Sequence, residues 1–281
     1  MTNQAWCYQT ALARARDLLN HPQAKLEAEI LLSHSLQVER TRFYTWPEQA
    51  LTNAQAQTFF ALVERRMQGE PIAYVIGHRE FWGLKLKVSP ATLIPRADTE
   101  TLVEVALAKM QTLPQPKVLD LGTGSGAIAL ALASERADAE ITAVDISAAA
   151  LEIAQQNAVN LKLHIELLQG AWFEPINPQQ TFDLIVSNPP YIEQQDPHLQ
   201  QGDLRFEPEN ALASGMDGLD DIRLIIHQAW CFLQPKGWLV IEHGYNQAQA
   251  MHDLFEQQGY QALELVHDLA GQPRVTLGQK P

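Results

Sequence analysis

Residues 117–145 spell out one βαβ unit, and no other feature of the sequence restricts the fold so tightly. Lys117-Val118-Leu119-Asp120-Leu121 reads as a strand, Gly122-Thr123-Gly124-Ser125-Gly126-Ala127 as a tight turn, and residues 128–134 as the start of a helix. Residues 141–145 form a second strand ending in Asp145, roughly 20 residues after the turn, the spacing that nucleotide-binding folds use. Parallel strands can be joined only by a long crossover, so the unit commits the chain to an α/β sheet. Glycines permit the sharp bend and let a ligand lie against bare backbone. An acid at the end of the second strand is placed to accept both hydroxyls of a ribose. Alone, the glycines also suit an ordinary strand–helix turn. With Asp145 the reading is a nucleoside site built from Gly122, Thr123, Gly124, Ser125, Gly126 and Asp145. The turn fits G-x-G-x-x-G/A, which leaves NAD open as the ligand.

The alternation continues downstream. A helix is expected over residues 149–159 and a strand over 165–168, followed by Gly170-Ala171-Trp172-Phe173, where Trp172 is either core or a cover for an adenine. Residues 182–187 form an apolar strand that runs into Asn188-Pro189-Pro190-Tyr191. Two prolines have no N–H for the sheet ladder, so the chain must leave at the strand's C-terminal end, the edge where open α/β sheets bind ligands. An amide side chain, released carbonyls and an aromatic ring then face the cleft, a set that suits a planar amino or amide group. A helix over 220–231, a strand over 237–242, a helix over 247–257 and strands over 263–266 and 275–277 complete seven strands. Asp268 and Arg274 read as surface hairpin residues, and Glu242 and His243 as structural rather than catalytic.

Upstream, residues 11–19 and 24–36 carry apolar residues at helical spacing, and Thr52-Asn53-Ala54-Gln55 is a capping box opening a further helix. Tyr74-Val75-Ile76 and residues 81–88 are rich in β-formers around Gly77-His78-Arg79-Glu80, which reads as a hairpin. Arg96 either pairs with an acid of Asp98-Thr99-Glu100, or its segment Thr92-Leu93-Ile94-Pro95-Arg96 borders the cleft. The expected organisation is a helical bundle, a substrate-recognition domain, over residues 1–72, a β-hairpin linker over 73–92 and the nucleoside-binding domain over 93–281.

Charge and cysteine usage narrow the partners. With 33 acidic against 20 basic residues the net charge is -13, the reverse of what a phosphate-gripping protein shows, so no direct nucleic-acid partner is expected. Cys7 and Cys231 stand alone, which argues against disulfides and cysteine metal sites, and no metal is expected. Residues 1–6 have neither the basic start nor the apolar core of a secretory leader, and no apolar run approaches a membrane span. A cytoplasmic monomer with no membrane partner is the expectation.

Several segments together resemble the HemK/PrmC family of class I methyltransferases: Gly69-Glu70-Pro71-Ile72-Ala73-Tyr74, Arg79-Glu80-Phe81-Trp82, Leu93-Ile94-Pro95-Arg96, residues 118–126, Ser187-Asn188-Pro189-Pro190-Tyr191 and Arg205-Phe206-Glu207-Pro208. Ala97 departs from the proline frequent there. The resemblance implies an α/β, Rossmann-like, seven-stranded, mostly parallel sheet behind an N-terminal helical bundle and a β-hairpin linker. It implies S-adenosyl-L-methionine as cofactor and methyl transfer to the glutamine amide of the GGQ motif in peptide chain release factors. Cofactor residues would be Gly122, Thr123, Gly124, Ser125, Gly126, Asp145, Trp172 and Asn188. Asn188, Pro189, Pro190 and Tyr191 would hold the substrate, with Asn188, Pro189 and Tyr191 catalytic. The competing readings are an adenine-amino DNA methyltransferase, which carries the same tetrapeptide, and an NAD-dependent oxidoreductase.

Overall fold

A computed structural model describes residues 6–281, and the leader expectation at the extreme N-terminus therefore lies outside the described residues, apart from Trp6. The chain divides into two compact units between Gly77 and His78.

The first unit is helical: α1 (Tyr8–Leu19), α2 (Ala24–Leu36), α3 (Thr41–Thr45), α4 (Asn53–Met67) and α5 (Ile72–Ile76). The capping box at α4 forms as expected, Gln55 N–H donating to Thr52 Oγ1 at 3.2 Å while Thr52 N–H donates to Gln55 Oε1 at 2.9 Å. Its core gathers Leu31, Leu32, Phe43, Phe59 and Val63. Tyr74-Val75-Ile76 is not a strand. Those residues lie in α5, where Ala73, Tyr74 and Val75 are buried, and packing overrides their β preference. Gly77, at φ +75°, is the left-handed cap of that helix and not a hairpin turn.

The second unit opens with the hairpin, displaced from its expected place. Strands β1 (His78–Phe81) and β2 (Leu84–Lys87) pair around Trp82 and Gly83, both at positive φ, the requirement of a tight primed turn. Then come a 3-10 turn (Ala97–Thr99), α6 (Glu100–Met110), β3 (Lys117–Leu121), α7 (Ala127–Glu135), β4 (Glu140–Asp145), α8 (Ala148–Leu161), β5 (Glu166–Gln169), β6 (Phe182–Ser187), α9 (Asp220–Phe232), β7 (Leu233–Glu242), α10 (Ala248–Gln258), β8 (Gln261–His267) and β9 (Pro273–Gln279). The sheet runs β5-β4-β3-β6-β7-β9-β8, with the first five strands parallel and β9 antiparallel to both its neighbours.

Helices cover both faces. α6, α7 and α8 share one core with the hairpin residues Phe81 and Leu86, and α9 and α10 share the other. This is why β3 is buried along Val118, Leu119, Asp120 and Leu121 and reads as an apolar run rather than an alternation. No helix among the described residues is long and apolar enough to cross a membrane.

The tail differs from expectation at two side chains. Asp268 is buried and accepts from the N–H groups of Ala270 and Gln272, each at 2.9 Å, and from Arg274 at 3.0 Å. Arg274 in turn lies 3.5 Å from Asp98. Far from being a surface hairpin pair, they tie the sheet's antiparallel edge to the segment before α6.

Candidate active site

Strand order reverses between β3 and β6: the chain fills the positions out to β5, then returns to the other side of β3. A crevice at the C-terminal strand ends follows from that reversal. Register sets what lines it. Leu121 is level with Val144 on one side and with Ser187 on the other, and Ser187 is level with Ile241. The next residues, Gly122, Asp145, Asn188 and Glu242, therefore emerge as one row.

A cavity of about 320 Å³ sits over this row, walled by Gly122, Gly124, Asp145, Trp172, Asn188 and Pro190 among the expected site residues. Gly122, at φ +73°, holds a left-handed backbone that strains any side chain, and a Cβ there would sit in contact with the Trp172 ring at 3.4 Å. Gly124, at φ +56°, has nothing within 4 Å of a Cβ, so its backbone is open to the cavity. Its N–H donates to Asp145 Oδ2 at 2.8 Å, and Ser147 N–H donates to Oδ1 at 2.9 Å. Burial pushes the Asp145 carboxyl up, and those two N–H groups hold it down in part.

Trp172, at φ +49°, turns its ring onto the cavity with Nε1 donating to Asp221 Oδ1 at 3.1 Å. Asp221 comes from the first turn of α9, where an acid complements the helix dipole, so the sequence offered a structural reason for it and concealed the shared one.

The rest of the glycine turn faces inward. Thr123 donates to Asp120 Oδ2 at 2.7 Å, the Ser125 carbonyl accepts from Asn157 at 2.9 Å, and a Cβ on Gly126 would meet Leu130 at 3.0 Å. These three residues shape the turn and stand outside the cavity wall.

Asn188 Nδ2 donates to Thr99 Oγ1 at 3.1 Å, which leaves Oδ1 as the acceptor end of the amide. Pro189 is buried and follows the end of β6, so its carbonyl has left the ladder, while Pro190 lines the cavity. Tyr191 turns back: its hydroxyl donates to Glu242 Oε1 at 3.3 Å and its carbonyl accepts from Gln247 Nε2 at 3.0 Å. Burial pushes its phenol well up, so it stays neutral.

Arg96 does not pair with Asp98 or Glu100. It meets Glu207, a fully buried carboxylate that also accepts from Ile94 N–H at 3.0 Å. The pair joins two segments that the sequence analysis singled out separately, beside cavity-wall residues Leu93 and Pro208.

Comparison with known proteins places this geometry. Residues 10–77 match the PrmC N-terminal domain model and residues 97–206 the methyltransferase small domain model. The release factor glutamine methyltransferase of Aliivibrio fischeri is 49% identical over 256 residues, 91% of this chain and 90% of that one. The one from Salmonella typhimurium is 48% identical over 280 residues, 99% of each chain. The chain belongs to the release factor glutamine methyltransferase family. A solved methyltransferase from Pyrococcus furiosus, 16% identical with a TM-score of 0.52 over 77% of this chain and 96% of that one, shares the fold.

Within this family member, sequence reasoning missed Thr99, Asp221 and the cavity-wall residue Ala91, while the segment offered as a border of the cleft does place Thr92 and Leu93 on the wall. The Asp98-Thr99-Glu100 stretch reads as a helix start, and only the folded chain shows that Thr99 holds Asn188.

Proposed function

We propose that this protein transfers the methyl group of S-adenosylmethionine to the side-chain amide nitrogen of the GGQ glutamine in peptide chain release factors. The observation that carries this reading is the row itself: Gly122 and Gly124 of the glycine turn, the ribose-type acid Asp145, and Asn188 and Pro190 of the Asn-Pro-Pro-Tyr turn open onto one cavity. The same row supports methyl transfer over hydride transfer, because a nicotinamide site has no use for Asn188 beside it.

The residues present fit the cofactor. Asp145 spends one bond per oxygen on backbone N–H groups and keeps lone pairs for hydroxyls, and Gly124 leaves its backbone bare. Trp172 and the exposed Ile146 offer apolar faces to a planar base. When bound, S-adenosylmethionine supplies an electrophilic methyl group on a sulfonium.

The protein's task is to present a weak nucleophile. An amide nitrogen shares its lone pair with its carbonyl, so Asn188 Oδ1 and the Pro189 carbonyl accept its two N–H bonds and turn its face to the cavity. The same oxygens stabilise positive charge growing on nitrogen in the transition state. Positioning does the remaining work. The two prolines fix the acceptors, and Tyr191, tied to Glu242 and Gln247, anchors the far end of the turn.

The net charge of -13 supports a protein substrate over nucleic acid. Two free cysteines suit a reducing cytosol. Incubation with radiolabelled S-adenosylmethionine and, in turn, release factor, duplex DNA and ribosomal protein tests the reading. Label confined to a release-factor glutamine is expected; label in DNA, or NADH fluorescence on binding, overturns it.

A further inference from the structure

Glu242 is the one residue of the row outside the cavity wall, and the proposed chemistry uses it only as a partner of Tyr191. It is 1% exposed; Oε1 receives the Tyr191 hydroxyl at 3.3 Å, and Oε2 has no hydrogen-bond partner among the described residues. A buried carboxylate with an open lone pair is costly to keep without a function. Tyr191 bonds to it directly, and Thr99 and Asp98 from the 3-10 turn and Arg274 from β9 are near enough to act on its charge.

The polarity of this cluster is informative. Thr99 Oγ1 already accepts from Asn188 Nδ2, so its single proton is free for another partner. The neighbouring Glu242, when ionised, only accepts. The run Asn188 N–H to Thr99, then Thr99 O–H toward Glu242, therefore has one sense. It keeps Nδ2 of Asn188 turned back and Oδ1 forward. Give Glu242 a proton, or an amide in place of the carboxylate, and Thr99 can receive a bond from it and turn its own proton toward Asn188. The Asn188 amide then loses its reason to face one way.

We propose that ionised Glu242 is a positioning residue: through Thr99 it fixes the facing of the Asn188 amide, and through Tyr191 it anchors the other end of the turn. The inference rests on the methyl-transfer reading for its effect on rate, and on the free protein alone for its geometry. Burial pushes the Glu242 carboxyl up to about 7, opposed by Thr99, Arg274 and Tyr191 and reinforced by Asp98. Turnover should therefore fall as the pH drops through about 7 and Glu242 takes up a proton.

The test uses the full chain, with Glu242→Gln and Thr99→Val. Both variants should lose about 10–100-fold in kcat, the worth of one bond to a charged group, while calorimetric cofactor affinity stays within about twofold. The acid limb of the kcat profile should vanish in Glu242→Gln, and the double variant should be no slower than the slower single one. In the ligand-free protein, the Asn188 side-chain amide resonances should titrate with the Glu242 carboxyl carbon, and Thr99→Val should uncouple them. Full turnover with the acid limb intact in Glu242→Gln overturns the proposal. So do Asn188 resonances that ignore pH between about 6 and 8, a reading that stands even if Glu242→Gln fails to fold. Wild-type protein that leaves release factors unmethylated would sink the function proposed above, while the resonance titration would still decide the positioning role.

Discussion

The Gly124 N–H donates to Asp145 Oδ2 at 2.8 Å, so one carboxylate both closes the glycine turn and faces the cavity. Its other oxygen receives the Ser147 N–H at 2.9 Å. An amide in this position must aim its NH2 at one of those two N–H groups. Asp145→Asn should therefore weaken S-adenosylmethionine binding about 10–100-fold, the worth of one or two bonds to a charged acceptor. At saturating cofactor kcat should be largely retained. Isothermal calorimetry gives the answer, and an unchanged affinity would remove Asp145 from the ribose site.

Asn188→Ala should behave in the opposite way. In the function proposed above its Oδ1 accepts from the substrate amide, and Thr99 holds the other end. Loss of one preorganised polar contact of this kind lowers kcat by about 10²–10³. Cofactor affinity should barely change, since the glycine turn and Asp145 remain. Single-turnover methylation of a release factor at saturating cofactor separates the two effects. Normal turnover with a large affinity loss would reassign Asn188 to the cofactor.

The site's backbone was legible because register carries it. A strand ending in glycine, a strand ending in Asp145 and a strand ending in Asn188 must align once they are parallel neighbours, whatever the loops do. The seven-stranded sheet followed from the same periodicity. What stayed hidden depends on long-range packing. Gly77 reads equally as a turn or as a helix cap, and only the burial of Tyr74 and Val75 against the bundle decides for the cap. Arg96 finds Glu207, 111 positions away, instead of the acids beside it. Arg274 and Asp268 look like exposed hairpin residues in a one-dimensional reading, yet Asp268 is buried and Arg274 half-buried, with Arg274 reaching Asp98 and the His243 carbonyl.

The Arg96–Glu207 pair should be unequal in its two halves. Glu207 has no side-chain exposure, whereas the Arg96 side chain is 35% exposed. Removing the arginine leaves a buried carboxylate with one backbone N–H, and burial already pushes it up despite Arg96. Arg96→Met should destabilise by about 1–3 kcal/mol, below the ~3–5 of a fully buried pair because solvent screens the exposed partner. Without Arg96 the Glu207 carboxyl rises further, so the loss should be largest at alkaline pH and shrink on acidification. Adding Glu207→Gln should restore part of the stability. Urea denaturation of wild type, Arg96→Met and the double variant at two pH values measures it, and equal losses from Arg96→Met at both would exclude a buried charge as the cause.

Asp120 carries a pH term of its own. It is fully buried near the C-terminal end of β3, with Oδ2 receiving Thr123 at 2.7 Å and Oδ1 unpaired among the described residues. Burial pushes the carboxyl up from 3.8 to about 7; the Thr123 hydroxyl and the Ala129 N–H resist, and Asp145 adds to the rise. Between those values the folded chain keeps a proton that the unfolded chain has released, so the native state binds more protons and stability falls as pH rises. The fall should begin near the unfolded value and level off above about 7. Asp120→Asn has no proton to give up, so its melting temperature should drop less between about pH 5 and pH 8, by roughly 2 °C or more. Glu242 contributes with the same sign, so Asp120→Asn combined with Glu242→Gln should flatten the curve further. Parallel melting curves for wild type and Asp120→Asn across that range would mean that Asp120 is already ionised in the folded protein, held by a donor that its empty Oδ1 does not show.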